Sequence, residues 1–353
     1  MKSDIATALF AGMLATVLLA APALAFHDDG VAHCNGCHTM HNSEDGAFVD
    51  PDSPSGNGYL LRDATATDVC LGCHATRLGA VWGSDPLAPP PELGGGNFVF
   101  LLEDNINDGH AGATNPILGY EAGHSVVAPS RGAGPDGKLS VAPGGTFPAS
   151  VLSCTSCHDP HGNDALRLLY GVGPVQDGVA TFTAPGPVGE DIGLGGAEAN
   201  DNHTAYQSGM SAWCGNCHGN FHDEADGRLI HPSGSAIGGS IATAYNLYNG
   251  TDDIIGGVAA TAYLAAVPFE DPANTTSSTA GPSATSQVMC LTCHRAHATS
   301  APDAGRWDFN VTLLDEDGVE SGSYALPNPY DANQRSLCNK CHLKDAYDHL
   351  PNP

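Results

Sequence analysis

Cationic side chains are scarce in this chain: 12 Lys and Arg stand against 39 Asp and Glu, a formal net charge of −27. A surface that acidic repels nucleic acid and anionic lipid, and suits cationic or metal-bearing partners as well as plain solubility. No nucleic-acid partner is expected. Long apolar runs are also lacking, with one exception. Ile5 to Ala21 is apolar, follows Lys2 and Asp4, and precedes the small-x-small triplet Ala23-Leu24-Ala25. That is the pattern of a secretory signal cut after Ala25, and the run is short for a spanning helix. Residues 1–25 are therefore expected to be a signal peptide, and the mature chain from Phe26 is expected to have no membrane span. No fixed-period repeat is visible, which excludes a solenoid. Extended regular structure is disfavoured too, because 44 Gly and 25 Pro interrupt helices and strands throughout.

What the chain does have is cysteine in strict order. All 12 cysteines fall into six Cys-x-x-Cys pairs, and each pair is followed at once by histidine. The six segments, first to sixth, are Cys34–Cys37 with His38, Cys70–Cys73 with His74, and Cys154–Cys157 with His158, then Cys214–Cys217 with His218, Cys290–Cys293 with His294, and Cys338–Cys341 with His342. This is the attachment motif of c-type haem. Two thiols in one tight turn meet the two vinyl groups as thioethers, and the next residue offers its imidazole to the iron. Disulfides, zinc sites and a redox dithiol also use paired cysteines, but none of them requires a histidine after the second thiol. With 17 His in 353 residues, six such coincidences have a chance of about one in 10^8. Six covalently bound haem c groups are expected.

Six irons with six proximal imidazoles need six further ligands. After residue 25 there are three methionines, Met40, Met210 and Met289, too few for His/Met ligation throughout, so bis-histidine ligation is the expectation. His41, His161 and His297 each follow a proximal histidine by three residues, and His222 follows His218 by four. At that spacing a side chain lies on the same side of a helical turn as its neighbour. It cannot reach the opposite face of the haem that neighbour ligates. A ligand so placed must serve a different haem, which draws two haems together. His124 and His231 complete the distal candidates, while His27, His33, His110, His203 and His349 read as non-ligands.

Between the segments, Gly239–Asn249 and Gly257–Val267 show apolar residues at helical spacing. Trp307, Phe309, Val311 and Leu313 alternate ahead of Asp317-Gly318 as a strand entering a hairpin would. Pro89–Gly96 and Asp271–Gln287 read as linkers. These elements are small, so the haems must supply much of the apolar interior. The expectation is one continuous domain over 26–353, mostly irregular coil with short helices and a few short strands wrapped around a stacked chain of six haems. By the logic that couples metal binding to folding, it should be unfolded without them.

Phe26-His27 and Gly36-Cys37-His38-Thr39-Met40-His41-Asn42-Ser43 resemble the mature N-terminus of the OmcS-type hexahaem cytochromes. So do Ala142-Pro143-Gly144-Gly145-Thr146, Cys157-His158-Asp159-Pro160-His161-Gly162, Gly209-Met210-Ser211 with Trp213-Cys214, Cys293-His294-Arg295-Ala296-His297-Ala298, and Cys338-Asn339-Lys340-Cys341-His342. The likeness runs through every attachment segment and fades over 164–206 and 299–333. It implies six bis-histidine haems in a near-continuous stack, with His41, His124, His161, His222, His231 and His297 as the distal ligands. It also implies that His41 reaches a haem of the adjacent subunit, and that copies polymerise into an extracellular conducting filament. Other cytochromes would be the donors and metal oxides or partner cells the acceptors, after passage through the periplasm to the cell surface. A monomeric periplasmic shuttle is the alternative, and electron microscopy separates the two. A reductase of nitrite or a sulfur oxyanion would need one iron with an open sixth position. Six candidate distal histidines argue for a carrier and against an enzyme.

Overall fold

The computed structural model describes residues 33–75, 81–85, 94–102, 118–175, 178–192, 198–219, 232–250, 252–309 and 337–343. The helices among them are α1 (Cys34–Cys37), α2 (Ala66–His74), α3 (Gly119–Ala122), α4 (Met210–Cys214), α5 (Gly238–Leu247) and α6 (Cys290–Cys293). Three antiparallel ribbons complete the regular structure: β1 (Ser43–Glu44) with β2 (Ala47–Phe48), β3 (Gly173–Val175) with β4 (Ala180–Phe182), and β5 (Val188–Glu190) with β6 (Ala205–Ser208). The remainder is turn and coil, as the Gly and Pro content requires. Among the described residues, no helix is long and apolar enough to cross a membrane.

The attachment segments are themselves the nuclei of this structure. In the first, third, fourth, fifth and sixth, the backbone N–H of the proximal histidine donates to the carbonyl of the first cysteine, at 2.8 to 3.0 Å. That bond closes a single helical turn and brings the two thiols of the pair together. Hydroxyl residues brace two of the turns. Ser156 Oγ accepts from Ser153 N at 2.9 Å, and Thr292 Oγ1 from Met289 N at 3.1 Å. The second segment is carried instead on α2, whose N-cap Thr65 accepts from Asp68 N at 3.1 Å, a cap worth about 1 kcal/mol. The buried Asp68 carboxylate also accepts from Thr65 Oγ1 at 2.7 Å and from Ser130 N at 3.1 Å, tying the helix to the 129–131 turn.

The helix expected over Gly239–Asn249 is present as α5, with Ala242 and Tyr245 on its buried side. Gly257–Val267 departs from its helical pattern, since it holds only a 3₁₀ turn at Ala259–Thr261. Its amides are taken by tertiary partners: Tyr263 N by Thr279 O, Leu264 N by Tyr245 Oη and Ala265 N by Asn200 Oδ1, at 3.0 to 3.1 Å. Asp271–Gln287 is no loose linker either. Glu270 and Gln287 exchange both backbone hydrogen bonds across its ends, and Asn274 and Ser286 are buried within it. Trp307 and Phe309, the start of the expected strand, lie in bend and turn. Val311, Leu313 and the hairpin turn fall outside the described residues.

Among the described residues the apolar interior forms three clusters, and each borders attachment segments. One joins Leu71, Trp82, Phe98, Phe100, Val126 and Ala298. A second joins Tyr245, Tyr263, Phe269, Trp307 and Leu337, with Cys293 and Cys341 against it. The third joins Leu166, Tyr206, Met210, Met289 and Leu291, with Cys157, Trp213 and Cys214 against it. In a chain with few cations, two arginines are spent inside. Arg295 and Arg306 flank the buried Glu198 at 3.5 and 3.7 Å. Arg306 also donates to the carbonyls of Leu291 at 2.6 Å and Ala265 at 3.1 Å. Removing Arg306 takes one of the two cations from the desolvated Glu198 and orphans the buried carbonyls of Leu291 and Ala265. Arg306→Met is therefore expected to cost on the order of 3–5 kcal/mol, read as a fall in the urea midpoint of the holoprotein. A loss below about 1 kcal/mol would show that the set behaves like an exposed surface pair.

Candidate haem-binding sites

The six segments lie in chain order along one row, joined through their thiols. Cys70 and Cys154 share a side-chain hydrogen bond, as do Cys214 and Cys290. These contacts link the second segment to the third and the fourth to the fifth. Both joints use the same brace. The hydroxyl three residues before the first cysteine of one segment accepts the N–H of the first cysteine of the next: Thr67 Oγ1 from Cys154 N at 3.4 Å, Ser211 Oγ from Cys290 N at 3.3 Å. The intervening joints run from the second cysteine of one segment to a thiol of the next. Cys37 lies close enough to Cys73, Cys157 to Cys217, and Cys293 to Cys338 and Cys341, for each neighbour to raise the thiol's pKa. Burial is the larger cause in all three, and takes Cys157 and Cys293 to about 12. Cys34 and Cys338, at the two ends of the row, are exposed.

Four of the proximal imidazoles are oriented by backbone carbonyls. Nδ1 of His38 meets Tyr59 O at 2.9 Å, while His158 meets Arg167 O, His218 meets Pro143 O and His294 meets Asp303 O, each at 2.8 Å. An Nδ1–H donated to a carbonyl fixes the tautomer that leaves the Nε2 lone pair free for a metal. Nothing in the sequence marked Tyr59, Arg167 or Asp303, because the acceptor is the main chain. Pro143 lay in a stretch already singled out, and the geometry shows why. Gly144 turns the loop at φ 69°, and at Gly145 any side chain would collide with the carbonyl of Cys217.

Three histidine pairs face each other across gaps. The ring centres of His38 and His161 are 6.5 Å apart with planes 6° from parallel. His158 and His297 are 6.5 Å apart at 61°, and His124 and His218 are 5.9 Å apart at 56°. Two imidazoles on opposite faces of one iron, each about 2 Å from it, place their ring centres about 6 Å apart. Each pair joins a proximal histidine to a distal candidate, and none joins His158 to His161 or His294 to His297. The residues present therefore fit a bis-histidine haem at these three places. Burial, then the nearby His218, holds His124 down to about 4. Burial, then His158, holds His297 down to about 3. His158 is lowered as well, again chiefly by burial. Neutral imidazole is the form that ligates.

The distal side is braced in turn. His124 Nδ1 meets Ala296 O at 2.7 Å, its N–H donates to His297 O at 2.9 Å, and Phe98 stacks on the His297 ring at 4.5 Å. His41 is exposed and has no ring partner among the described residues. His203, read as a non-ligand, is fully buried with its ring nitrogens on the carbonyls of Thr204 and Ser278 and its face on Tyr263. His222 and His231 lie outside the described residues, as do His27, His110 and His349. Among the described residues no three His, Cys, Asp or Glu side chains form a bare-ion site.

No protein-family model matches the sequence. The C-type cytochrome OmcS of Geobacter sulfurreducens is 30% identical over 441 aligned positions, which span 98% of this chain and 100% of that protein. The alignment is longer than the 353 residues here, so the relative is the longer chain. Two solved structures are similar. One is the Outer Membrane Cytochrome S filament of Geobacter sulfurreducens, with a TM-score of 0.73, 30% identity, and 90% of this chain and 99% of that one covered. The other is a cryo-EM structure of the OmcS nanowires of the same organism, with a TM-score of 0.76, 29% identity and coverage of 91% and 100%. Similarity over nearly the whole of both chains, together with attachment turns and facing imidazoles, places this protein in the OmcS family of C-type cytochromes, which carry covalently bound haem c.

Proposed function

We propose that this chain is an electron carrier, not an enzyme, in which six haems form a relay and copies join end to end into an extracellular conducting filament. The observation that carries the reading is the set of facing imidazoles drawn from different segments. Haem supplies a one-electron iron couple, and a row of such couples is a path for charge. The protein's own part is to anchor, clamp and order them. Cys34, Cys37, Cys70, Cys73, Cys154, Cys157, Cys214, Cys217, Cys290, Cys293, Cys338 and Cys341 anchor through thioethers. His38, His74, His158, His218, His294 and His342 ligate on the proximal side, and His41, His124, His161, His222, His231 and His297 on the distal side. With every sixth position filled, no iron is left open to a substrate.

The pairing follows a stride. His161, from the third segment, faces His38 of the first, and His297, from the fifth, faces His158 of the third. His41 belongs to the first segment, so the same backward step of two leaves the chain. It lands on His294, the fifth segment of a preceding copy. His222 and His231 then serve His74 and His342. Head-to-tail stacking would carry the row of segments onward from one copy to the next. The related protein solved as a filament supports the same assembly. Residues 1–25 direct export, and residues 26–353 act as one hexahaem unit with other cytochromes as donors and metal oxides or partner cells as acceptors.

Two substitutions separate clamping within a copy from clamping between copies. His161→Ala should convert one haem of the six to a five-coordinate, high-spin form while filaments persist in micrographs. His41→Ala should give the same spectral change and leave monomers. An unchanged low-spin spectrum removes the substituted histidine from the ligand set, and filaments that survive His41→Ala rule out ligation between copies. Mass spectrometry of the secreted chain should find six haem adducts, whereas free thiols or disulfides at these cysteines overturn the reading.

A further inference from the structure

The first, third and fifth segments share a feature beyond the motif. Each packs against a short turn containing two successive non-glycine residues in the left-handed region: Tyr59 and Leu60 at φ 54° and 57°, Arg167 and Leu168 at 53° and 57°, Asp303 and Ala304 at 59° and 53°. These account for six of the eight non-glycine positive-φ residues described. In all three the first residue of the pair gives its carbonyl to the proximal Nδ1. In all three the second gives its carbonyl to the N–H that follows the proximal histidine: Leu60 O from Thr39 and Leu168 O from Asp159 and Ala304 O from Arg295, at 2.7 to 2.8 Å. A third bond closes each ring, to the carbonyl of the second cysteine, from Arg62, Tyr170 and Arg306. The segments are otherwise unlike, with turn and proximal histidine 21 residues apart in the first case and 9 in the others.

Left-handed backbone costs roughly 1–2 kcal/mol per non-glycine residue. Such strain persists only where surrounding structure imposes it, and it clusters at functional positions. The side chains differ in kind and setting, Tyr59 being 72% exposed and Arg167 lying 3.9 Å from Asp191, whereas the backbone pattern is shared. What the conformation achieves is orientation. Two consecutive peptide planes turn their carbonyls onto the same segment, one to the imidazole and one to the chain beside it. Resting on the haem assignment above, we propose that Tyr59, Arg167 and Asp303 are positioning residues whose left-handed backbone sets the ring plane and basicity of the proximal ligands of three of the haems. An Nδ1–H held by a carbonyl makes the imidazole a stronger donor, which stabilises the ferric iron and lowers the potential.

The test compares two substitutions at each position in the full-length holoprotein. Gly accepts a positive φ freely, whereas β-branched Val strongly resists it. Tyr59→Val and Asp303→Val should each move one of six resolved redox transitions upward, by a tenfold change in that iron's equilibrium or about 59 mV. Tyr59→Gly and Asp303→Gly should leave all six in place. A Val variant that loses one haem where the Gly variant keeps six also supports the proposal, since Gly lacks the native side chain altogether yet keeps the positive φ. Equal potentials and equal haem content for Val and Gly at both positions overturn it. A haem count of six with low-spin spectra in those same samples keeps the haem assignment standing, so the two failures are distinguishable.

Discussion

The fold depends on imidazoles that face one another from different parts of the chain. Because a histidine three residues past its attachment turn faces the same way as its neighbour, it has to find its partner elsewhere, and the partners found are distant in sequence. His38 meets His161, His158 meets His297, and His124 meets His218. Each contact fastens an attachment segment to a distant stretch of the chain across a gap that fits a bis-histidine haem. On the proposed reading cofactor site and tertiary contact are one object, and the described residues contain short helices and two-stranded ribbons in place of a large sheet or helical bundle. The three modest apolar clusters lie against attachment segments because the thioether-bound group on the proposed reading fills the space between them.

Order along the row comes from simple devices used more than once. Joints between first cysteines alternate with joints made by a second cysteine, and the hydroxyls of Thr67 and Ser211 brace the two former in the same way. A left-handed pair recurs at three of the proximal histidines. The irregular spacing of the motifs conceals these repeats, since loops of unequal length leave the local geometry unchanged. Loop closure costs little more for a long loop than for a short one, so the insertions can vary while the row is kept.

The charge distribution fits this plan. The few cations include Arg295 and Arg306, committed inside against Glu198, and Lys340, buried over the Tyr245 ring with its Nζ on the Tyr248 carbonyl. With 39 Asp and Glu against 12 Lys and Arg, the chain keeps a strongly negative formal charge around these buried cations.

Sequence alone determined the chemistry of this protein. Six Cys-x-x-Cys-His segments need only local geometry to be read, because one helical turn places both thiols and the imidazole. It also led to the expectation that the spaced histidines serve other haems, and that irregular coil would predominate. Which histidine faces which was beyond it, since pairs such as His158 and His297 are brought together by the path of the whole chain. The carbonyls of Tyr59, Pro143, Arg167 and Asp303 were beyond it too, because every residue has one and only backbone conformation aims it. The Gly257–Val267 helix failed for the same reason: hydrogen bonds to Thr279, Tyr245 and Asn200 outweighed a local pattern. Covalent attachment is written within a few residues, whereas orientation is a property of the folded chain.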